Sequence, residues 1–315
     1  MIVTCKHCRS RLKVDENRLD PAIRRFSARC PRCRQSFFID LPDILTPAVE
    51  PDDDLRIETP VIPNQTIVIT NQKGGVAKTS TCLNLGLSLA LQEKRVLLID
   101  FDVQANLTIS LGYQETISFY NLYNRPPQEL EAALIQTSYP GLWLLPSSKN
   151  MVLLSKKFFG QREYEFLLDR HLQKLKERFD YILIDTPPSI EFFTINALTT
   201  ANLAIIPTPC DYLATHGVEQ VINIINLIRK KTNPTLNIRV LVTMYDESTT
   251  ASRMIFSKLK TLYPTLLCRT VIPRDERLRE AQIMSMPVIN YDQKSTSGQQ
   301  YLALAQELAK SETKV

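Results

Sequence analysis

The sequence contains no long hydrophobic segment. None of its apolar runs approaches the roughly 20 residues that a membrane-spanning helix requires. The N-terminal stretch MIVTCKHCRSRLKV also lacks the apolar region of a secretory signal. These two absences predict a cytosolic protein without helical membrane spans. With 44% hydrophobic and 23% charged residues, the 315-residue chain has the composition of an ordinary globular protein.

Cysteines are few, and their spacing does not suggest a disulfide framework. The seven cysteines comprise two close pairs, Cys5/Cys8 and Cys30/Cys33, and three isolated residues, Cys82, Cys210 and Cys268. In a cytosolic chain, close pairs indicate a metal site rather than disulfides. The isolated Cys82 falls inside a predicted helix, which is typical of a small buried residue.

The paired cysteines have the spacing of a structural zinc site. Residues 1–40 contain C-x2-C, then 21 intervening residues, then a second C-x2-C. Two cysteines at this spacing face one ion across a tight turn, and two such turns complete a tetrahedral thiolate cage. The predicted zinc ligands are Cys5, Cys8, Cys30 and Cys33. With strands predicted at RLKV and SFFI, residues 1–40 resemble a short bacterial zinc ribbon, whose folding would depend largely on the metal.

The role of the predicted zinc ribbon stays open at this point. It could dock a protein, contact nucleic-acid phosphates, or serve only as a structural appendage. The arginines that would contact phosphates are Arg24, Arg25, Arg29, Arg32 and Arg34. A small solvated domain would also carry such charges without using them.

An acidic, proline-rich segment follows at residues 41–63. Residues 1–40 carry ten Lys and Arg against four Asp and Glu, whereas residues 41–60 carry one against six. Prolines remove backbone donors, and like charges extend a chain. We interpret residues 41–63 as a linker, with a surface loop of the next domain as the alternative. The net charge of +5 permits nucleic-acid binding but does not demonstrate it.

From residue 64 onward, short strands alternate with helical stretches. The predicted strands are TIVIT (66–70), RVLLID (95–100), LWLLP (142–146), YILID (181–185), LAIIP (203–207), IRVLVTMY (238–245) and RTVIP (269–273). Because their apolar residues do not alternate strongly with polar ones, we expect a parallel sheet covered on both faces by helices. The predicted fold class is therefore α/β. Ligands in such sheets bind beyond the carboxyl ends of the strands.

The segment NQKGGVAKTS lies at such a strand end, but it lacks the glycines of the standard G-x4-G-K-[ST] loop. Gln72 and Ala77 occupy those two positions. What remains is a Gly pair and a Lys-Thr pair at the start of a predicted helix, KTSTCLNLGLSLALQEK (78–94). Such a loop turns its amides toward phosphate oxygens, and the helix dipole adds to the attraction. Lys78 would reach the β- and γ-phosphates, and the Thr79 hydroxyl would bind Mg²⁺.

The segment fits a deviant phosphate loop, K-G-G-x-x-K-T, with a second lysine at Lys73. On these residues the sequence resembles the ParA/MinD family, a branch of the P-loop NTPases. RVLLIDFDVQANLT resembles the D-x-D-P-Q-x-N switch segment of that family, with Val103 in place of the usual proline. YILIDTPPS ends in Asp185, the Walker B position, where a carboxylate would hold Mg²⁺ through water. The resemblance covers residues 64–310, and we assign residues 64–315 to this domain.

The resemblance implies roles for individual residues. Lys73, Lys78 and Asp102 would be catalytic; Asp102 would orient the attacking water, although a carboxylate at this place could merely cap the next helix. Thr79 and Asp185 would hold Mg²⁺. The implied nucleotide contacts are Lys73, Gly74, Gly75, Val76, Ala77, Lys78, Thr79, Ser80 and Asp185, with Pro273 and Arg274 near the adenine.

Other branches of the superfamily fit less well. Nitrogenase-reductase-like and iron–sulfur-scaffold relatives need cysteines that hold a cluster, whereas the cysteines after residue 64 are isolated. The tyrosine-kinase branch has a tyrosine-rich tail, whereas this chain ends in SETKV. MinD-like proteins end in a basic amphipathic helix. The final helix, YLALAQELAK, lacks basic flanks, and we expect its apolar face to pack on its own domain. The apolar residues of that face are Leu302, Ala305, Leu308 and Ala309.

Nucleic-acid binding is therefore preferred to membrane binding. The candidate DNA contacts are Arg253, Lys258, Lys260, Arg274, Arg277 and Arg279, with Arg229, Lys230 and Lys231 as a second cluster. Each cluster could instead be a solvated helix face. Since the sequence contains no base-reading helix, we expect phosphate contacts without sequence preference.

The resemblance thus implies an ATP- and Mg²⁺-dependent homodimer in which Lys73 crosses to the partner's phosphates. The dimer would bind DNA non-specifically, and hydrolysis stimulated by a ParB-like or cargo-adaptor protein with a basic N-terminal segment would release it. The protein would then be cytoplasmic, associated with the nucleoid, and engaged in segregating or positioning a cargo. The alternatives are a MinD-like membrane-associated positioning ATPase and a zinc-ribbon adaptor whose docking is timed by the ATPase.

Overall fold

The computed structural model describes residues 2–4, 8, 11–13, 25–29, 33, 36–40, 64–114 and 117–312. The chain divides into two compact units, Met1–Thr59 and Pro60–Val315. The division falls inside the predicted linker 41–63, whose own residues lie outside the described ones.

The first unit contains two antiparallel β-hairpins. Strand β1 (Ile2–Thr4) pairs with β2 (Arg11–Lys13), and β3 (Arg25–Arg29) pairs with β4 (Ser36–Asp40). Strands β2 and β4 coincide with the predicted strands RLKV and SFFI. Each C-x2-C pair falls in the loop of one hairpin, and Cys8 and Cys33 both lie in turns. Cys5 and Cys30 lie outside the described residues, and so do three of the five arginines proposed to contact phosphates, Arg24, Arg32 and Arg34. Arg25 and Arg29 belong to β3, but their side chains lie outside the described part of the chain.

The second unit contains one sheet and thirteen α-helices within the described residues. The strands are β5 (Gln65–Ile69), β6 (Val96–Asp100), β7 (Ile135–Gln136), β8 (Leu142–Leu145), β9 (Tyr181–Asp185), β10 (Leu203–Pro209), β11 (Asn237–Tyr245) and β12 (Leu267–Pro273). The helices are α1 (Lys78–Ala90), α2 (Asn106–Ser110), α3 (Phe119–Leu122), α4 (Pro127–Ala132), α5 (Val152–Phe158), α6 (Leu167–Leu172), α7 (Leu175–Arg178), α8 (Phe192–Thr200), α9 (Ala214–Lys231), α10 (Thr250–Leu262), α11 (Glu276–Ile283), α12 (Val288–Tyr291) and α13 (Thr296–Glu312). Two short 3-10 helices span Lys149–Met151 and Tyr164–Phe166.

The sheet confirms the predicted α/β class. Its strand order is β12-β11-β10-β5-β9-β6-β8-β7, and every pairing is parallel except that of the edge strand β7 with β8. All seven strands predicted from the sequence occur, with ends displaced by at most two residues. The strand that precedes the phosphate loop, β5, lies between β10 and β9 near the middle of the sheet, so the loop emerges among several strand ends.

Both faces of the sheet are buried, which explains why its strands lack polar alternation. In β5, the side chain of Val68 belongs to the core on one face, while Ile67 and Ile69 belong to the core on the other. The helix after the phosphate loop lies close against the sheet at Gly86, where an added Cβ would come within 2.5 Å of Leu98 Cδ2. A side chain at residue 86 would therefore push α1 away from the sheet.

The final helix, α13, packs on its own domain, as predicted. Ala305 and Leu308 are buried as expected, while Leu302 is only partly buried. The sequence interpretation missed Tyr301 and Leu304, which are fully buried. Among the described residues, no helix is long and apolar enough to cross a membrane.

Asp275 joins the loop after β12 to the start of α13. Its Oδ1 accepts from the Arg277 amide at 2.9 Å, and its Oδ2 accepts from the amide and hydroxyl of Ser297 at 3.0 and 2.9 Å and from Ser295 Oγ at 2.7 Å. Burial by itself would raise the pKa of Asp275, but these hydrogen bonds outweigh it and lower the pKa to about 2. The carboxylate thus holds the segment next to Arg274 in place.

Replacing Asp275 by Asn should lower the free energy of unfolding by about 1–3 kcal/mol at pH 7, because hydrogen bonds to a charged acceptor are lost. The folded pKa of about 2 lies below the ordinary Asp value near 3.9, so this stabilisation is complete above that value and disappears as the pH falls toward 2. Urea unfolding of parent and Asp275→Asn from pH 7 downward measures the difference.

The matched control is Glu276→Gln, which removes only the exposed ion pair with Arg279 and should cost about 0–1 kcal/mol. A stability gap for Asp275→Asn that keeps its size at low pH would contradict the assigned role of the carboxylate.

Candidate functional site

The carboxyl ends of three neighbouring strands bring the predicted site residues together. The phosphate loop (residues 72–79) follows β5, and Asp100 and Asp185 are the last residues of β6 and β9. The parallel register places Asp100 opposite Asp185, and Ile69 of β5 opposite Asp185 on its other side. The sheet therefore concentrates carboxylates beside the loop.

The phosphate loop contains two residues in the left-handed backbone region. Gly75 has φ +71, and Ala77, which directly precedes α1, has φ 69 and ψ 33. A left-handed conformation costs a non-glycine residue about 1–2 kcal/mol. No described side chain caps the start of α1, and no described atom lies within 4 Å of a Cβ built on Gly74. The amides at this helix end are thus available to an anion.

Lys78 points inward from the start of α1 and is only 8% exposed. Its Nζ donates to the Lys73 carbonyl at 2.9 Å, which closes the loop on itself. Burial lowers the pKa of Lys78, while the charges of Asp185 and Asp102 act against that shift. The lysine is therefore a buried cation placed between the loop and two carboxylates.

Thr79 and Asp185 have the arrangement expected of a magnesium site. Thr79 Oγ1 donates to Asp185 Oδ2 at 2.7 Å. The other carboxylate oxygen, Asp185 Oδ1, is buried and has no hydrogen-bond partner among the described residues. Burial, followed by the charge of Asp100, raises the pKa of Asp185 well above its ordinary value. An unpartnered buried oxygen beside a hydroxyl fits Mg²⁺, which prefers oxygen ligands and retains several waters.

Asp100 and Asp102 differ in their surroundings although both are buried. Asp100 Oδ2 accepts from the Thr108 amide at 2.8 Å and from the Thr108 hydroxyl at 2.7 Å, and burial raises the pKa of Asp100 to about 6. Among the described residues, the Asp102 carboxylate accepts only the Gln104 amide, at 3.0 Å to Oδ1. Burial raises the pKa of Asp102 as well, opposed by that bond and by the charge of Lys78. Asp100 therefore anchors the loop, whereas Asp102 keeps one oxygen free for another donor.

Lys73 lies apart from the buried residues, at the rim of the site. Its Nζ pairs with Asp211 Oδ1 at 3.2 Å, with the two side chains 27% and 52% exposed. The aliphatic part of Lys73 runs over Gly217 of α9, where an added Cβ would lie 3.2 Å from Lys73 Cε. The single chain thus holds this lysine on its own surface, and its predicted contact with a partner stays a prediction.

Two further residues that motif reasoning missed, Asn71 and Thr243, support the loop. Asn71 Oδ1 accepts from the Lys73 amide at 3.1 Å, and Asn71 Nδ2 donates to the Pro207 carbonyl at 2.8 Å. Thr243 Oγ1 of β11 donates to the Val76 carbonyl at 3.2 Å. These bonds connect the phosphate loop to β10 and β11.

The residues predicted near the adenine lie in a segment that is connected to α1. The Arg274 amide donates to the Tyr245 carbonyl at 2.9 Å, directly after Pro273 at the end of β12. Further along, Gln282 Nε2 of α11 donates to Ser80 Oγ of α1 at 2.5 Å. The loop after β12 is thus tied to β11, and the helix that follows it is tied to the start of α1.

The candidate DNA contacts are not equally available. Arg277 pairs with Glu280 at 2.8 Å, and Arg279 pairs with Glu276 at 3.2 Å, so acidic neighbours offset both charges. All six side chains of the set are exposed, and Arg253 Nη1 donates to the Glu247 carbonyl at 2.7 Å, which leaves Lys258, Lys260 and Arg274 with the least restrained charges. In the second cluster, Arg229 Nε donates to the Leu236 carbonyl at 2.6 Å, which indicates a role in the fold.

Comparison with known proteins agrees with this geometry. The family described as AAA domain matches residues 64–238. The sporulation initiation inhibitor protein Soj of Bacillus subtilis is 38% identical over 246 residues, which make up 77% of this chain and 97% of that protein. The chromosome partitioning protein ParA of Myxococcus xanthus is 36% identical over 253 residues, 78% of this chain and 88% of that protein.

Solved structures also match most of the chain. A cobyrinic acid a,c-diamide synthase from Mycobacterium smegmatis with bound ADP and magnesium is 32% identical, with a TM-score of 0.69 over 80% of this chain and 96% of that one. A putative plasmid partition protein from Borrelia burgdorferi bound to AMPPNP is 25% identical, with a TM-score of 0.66 over 79% of this chain and 99% of that one. The two solved proteins have different names, but both structures contain an adenine nucleotide or its analogue.

Replacing Ala77 by Gly should leave the free energy of unfolding unchanged or raise it by about 1 kcal/mol. The substitution removes a left-handed strain of about 1–2 kcal/mol and adds about 0.5–1 kcal/mol of backbone entropy to the unfolded chain. Denaturant unfolding of the nucleotide-free protein measures the change.

The matched control is Ala303→Gly in α13, which should lose about 1 kcal/mol because residue 303 is helical. Equal losses in the two variants would show that residue 77 carries no such strain.

Proposed function

This chain belongs to the AAA domain family of P-loop ATPases of the ParA/MinD type, and on that premise we propose that it is an ATP-driven switch that segregates or positions a cargo. The single observation that carries the proposal is the grouping of Lys78, Thr79, Asp102 and Asp185 around the phosphate loop. The similarity to Soj and ParA across 77–78% of the chain supports the partitioning role.

In the proposed cycle, the amides of Gly74 to Thr79 and the Lys78 ammonium bind the phosphates of ATP. The Thr79 hydroxyl and the Asp185 carboxylate hold Mg²⁺, which would neutralise charge on the phosphates. Asp102 orients the attacking water through its free oxygen, and its burial keeps bulk water from competing for that carboxylate. Hydrolysis by the protein alone is slow and is stimulated by a partner protein.

ATP binding is proposed to produce a two-fold homodimer, in which Lys73 leaves Asp211 and reaches the nucleotide of the partner. The ion pair it breaks is partly exposed and therefore weak, worth about 0–1 kcal/mol, so nucleotide phosphates compete with it easily. The dimer binds DNA without sequence preference through exposed basic residues, chiefly Arg253, Lys258, Lys260 and Arg274, and would be located on the nucleoid in the cytoplasm.

The N-terminal unit is proposed to be a zinc ribbon that docks to another protein. The hairpin loops that carry the two C-x2-C pairs support this assignment, since tight turns let both cysteines face one ion. Residues 41–63 are proposed to be the acidic, proline-rich linker between the ribbon and the ATPase domain. Under the adaptor alternative, isolated residues 1–45 would capture the docking partner in a pull-down.

A membrane-associated role of the MinD kind receives less support. The final helix uses its apolar residues inside the domain, since Tyr301, Leu304 and Ala305 are fully buried. Its removal from the domain would expose the core that it covers.

The partner that stimulates hydrolysis is proposed to be a ParB-like or cargo-adaptor protein with a basic N-terminal segment.

The Asp102→Ala variant should bind ATP as the parent does but hydrolyse it about 100-fold more slowly, because the carboxylate orients water and does not bind phosphate. It should therefore accumulate an ATP dimer that stays on DNA at low salt and leaves it as salt rises. Phosphate release, nucleotide binding and retention on a DNA column measure these three properties.

The comparison variant is Lys78→Ala, which should lose ATP binding, dimer and DNA retention together. Hydrolysis by Asp102→Ala at the parent rate would refute the assigned role. Binding of the ATP state to anionic vesicles but not to DNA would favour the MinD-like alternative.

The purified protein should contain one zinc ion per chain, and Cys30→Ser should lose it. Elemental analysis of the two proteins measures the metal. Cys210→Ser is the matched control, because Cys210 lies in the ATPase domain outside the predicted ligand set and its loss should leave zinc content unchanged. ATP binding should persist in both variants, and equal zinc content in parent and Cys30→Ser would exclude the ribbon assignment.

A further inference from the structure

Two buried hydroxyl groups outside the phosphate loop connect the segment that carries Asp102 to the loop after β8. They belong to Thr108 of α2 and to Ser147, which are 2% and 3% exposed. None of the motifs in the sequence includes Ser147, and 39 residues separate it from Thr108. Polar groups so deeply buried must be hydrogen-bonded to be tolerated.

Thr108 forms three hydrogen bonds at once. Its amide and hydroxyl both donate to Asp100 Oδ2, at 2.8 and 2.7 Å. Its hydroxyl oxygen also accepts from the Ser147 amide at 3.0 Å. Thr108 therefore joins the end of β6 to the loop that follows β8.

Ser147 completes a closed ring. Its Oγ donates to the Asp102 carbonyl at 2.6 Å, and the Asp102 amide donates to Asp100 Oδ1 at 3.2 Å. The ring therefore runs from Asp100 through Thr108 and Ser147 to the main chain of Asp102 and back to Asp100. Both main-chain polar groups of Asp102 are held, while its side chain accepts only the Gln104 amide.

The ring restrains a segment whose backbone is under strain. Ala105, between Asp102 and Thr108, has φ 53 and ψ 33, a left-handed conformation. Such a conformation costs about 1–2 kcal/mol in a non-glycine residue and persists only when surrounding contacts hold it. The hydrogen bonds of Thr108 and Ser147 are placed on both sides of this residue, so their loss would let the segment relax and carry Asp102 with it.

We propose that Thr108 and Ser147 are positioning residues for ATP hydrolysis, which fix the main chain of Asp102 so that its carboxylate points at the attacking water. The proposal rests on the role of Asp102 in the proposed function. Neither hydroxyl belongs to the proposed nucleotide contacts, and both would act through Asp102. A displacement of about 1 Å in an orienting group can lower a reaction rate about 100-fold, whereas ATP binding depends on the phosphate loop and should be insensitive to it.

The test uses the full-length protein and four variants. Thr108→Val keeps the shape of the side chain and removes its hydroxyl, and Thr108→Ser restores the hydroxyl. Ser147→Ala removes the bond to the Asp102 carbonyl but keeps the amide that donates to Thr108. Thr200→Val is the matched control, because Thr200 is a buried threonine whose hydroxyl has no hydrogen-bond partner among the described residues.

Thr108→Val should lower the single-turnover rate of hydrolysis at saturating ATP by about 10- to 100-fold, and Ser147→Ala by about 10-fold, with ATP affinity within threefold of the parent. Thr108→Ser should recover at least half of the parent rate. Thr200→Val should hydrolyse ATP at the parent rate. Thermal unfolding of every variant, with and without ATP, records its stability in the same experiment.

Different outcomes separate the two proposals. Parent rates in Thr108→Val and Ser147→Ala, while Asp102→Ala is slow, would overturn the positioning role and leave the role of Asp102 intact. A rate loss in Thr108→Val that Thr108→Ser does not restore, or that Thr200→Val shares, would reduce the ring to a contribution to stability. If Thr108→Val does not fold, the rate of Ser147→Ala decides. A parent rate in Asp102→Ala would instead refute the proposed function itself.

Discussion

The site depends on burying three carboxylates at the ends of adjacent parallel strands. Asp100, Asp102 and Asp185 are each at most 5% exposed, and Lys78 is the buried cation that faces Asp102 and Asp185. Burial and mutual repulsion disfavour charge on all three, so each must find compensation. Hydrogen bonds from Thr108 compensate the burial of Asp100, and the bond from Thr79 compensates that of one Asp185 oxygen. A divalent cation, together with the phosphates of ATP, would compensate the remaining carboxylate charge.

A second constraint is backbone strain placed beside this charge. Ala77 and Ala105, which directly precede α1 and α2, are both left-handed, with φ 69 and 53. Glycine would adopt these conformations without strain, but it would also leave the two segments freer to move. Alanine keeps them in one shape, and the hydrogen bonds of Lys78, Thr108 and Ser147 hold that shape. Under the proposed function, the nucleotide contacts and the orientation of Asp102 would thereby be set before ATP binds.

Sequence reasoning predicted the sheet and the convergence of Lys78, Thr79, Asp102 and Asp185, because parallel strands place their carboxyl ends at one edge. It did not predict the short helices between β6 and β9, whose sequences have too few turns for a periodic pattern. It also missed Asn71, Ser147 and Asp211, because their partners are distant in sequence, 138 residues for Lys73 and Asp211. The role of a common polar residue outside any motif can be recognised only when the structure shows which distant residues it contacts.

The placement of α13 has a consequence for synthesis of the chain. Tyr301 meets Thr81 of α1 at 3.3 Å between hydroxyls, and Glu307 accepts the amides of Arg269 and Thr270, both at 2.8 Å, along the outer strand β12. The helix that carries Lys78 and Thr79 is thus synthesised more than 200 residues before the helix that covers it. Until residues 296–312 leave the ribosome, the faces of α1 and β12 that α13 covers stay exposed to solvent.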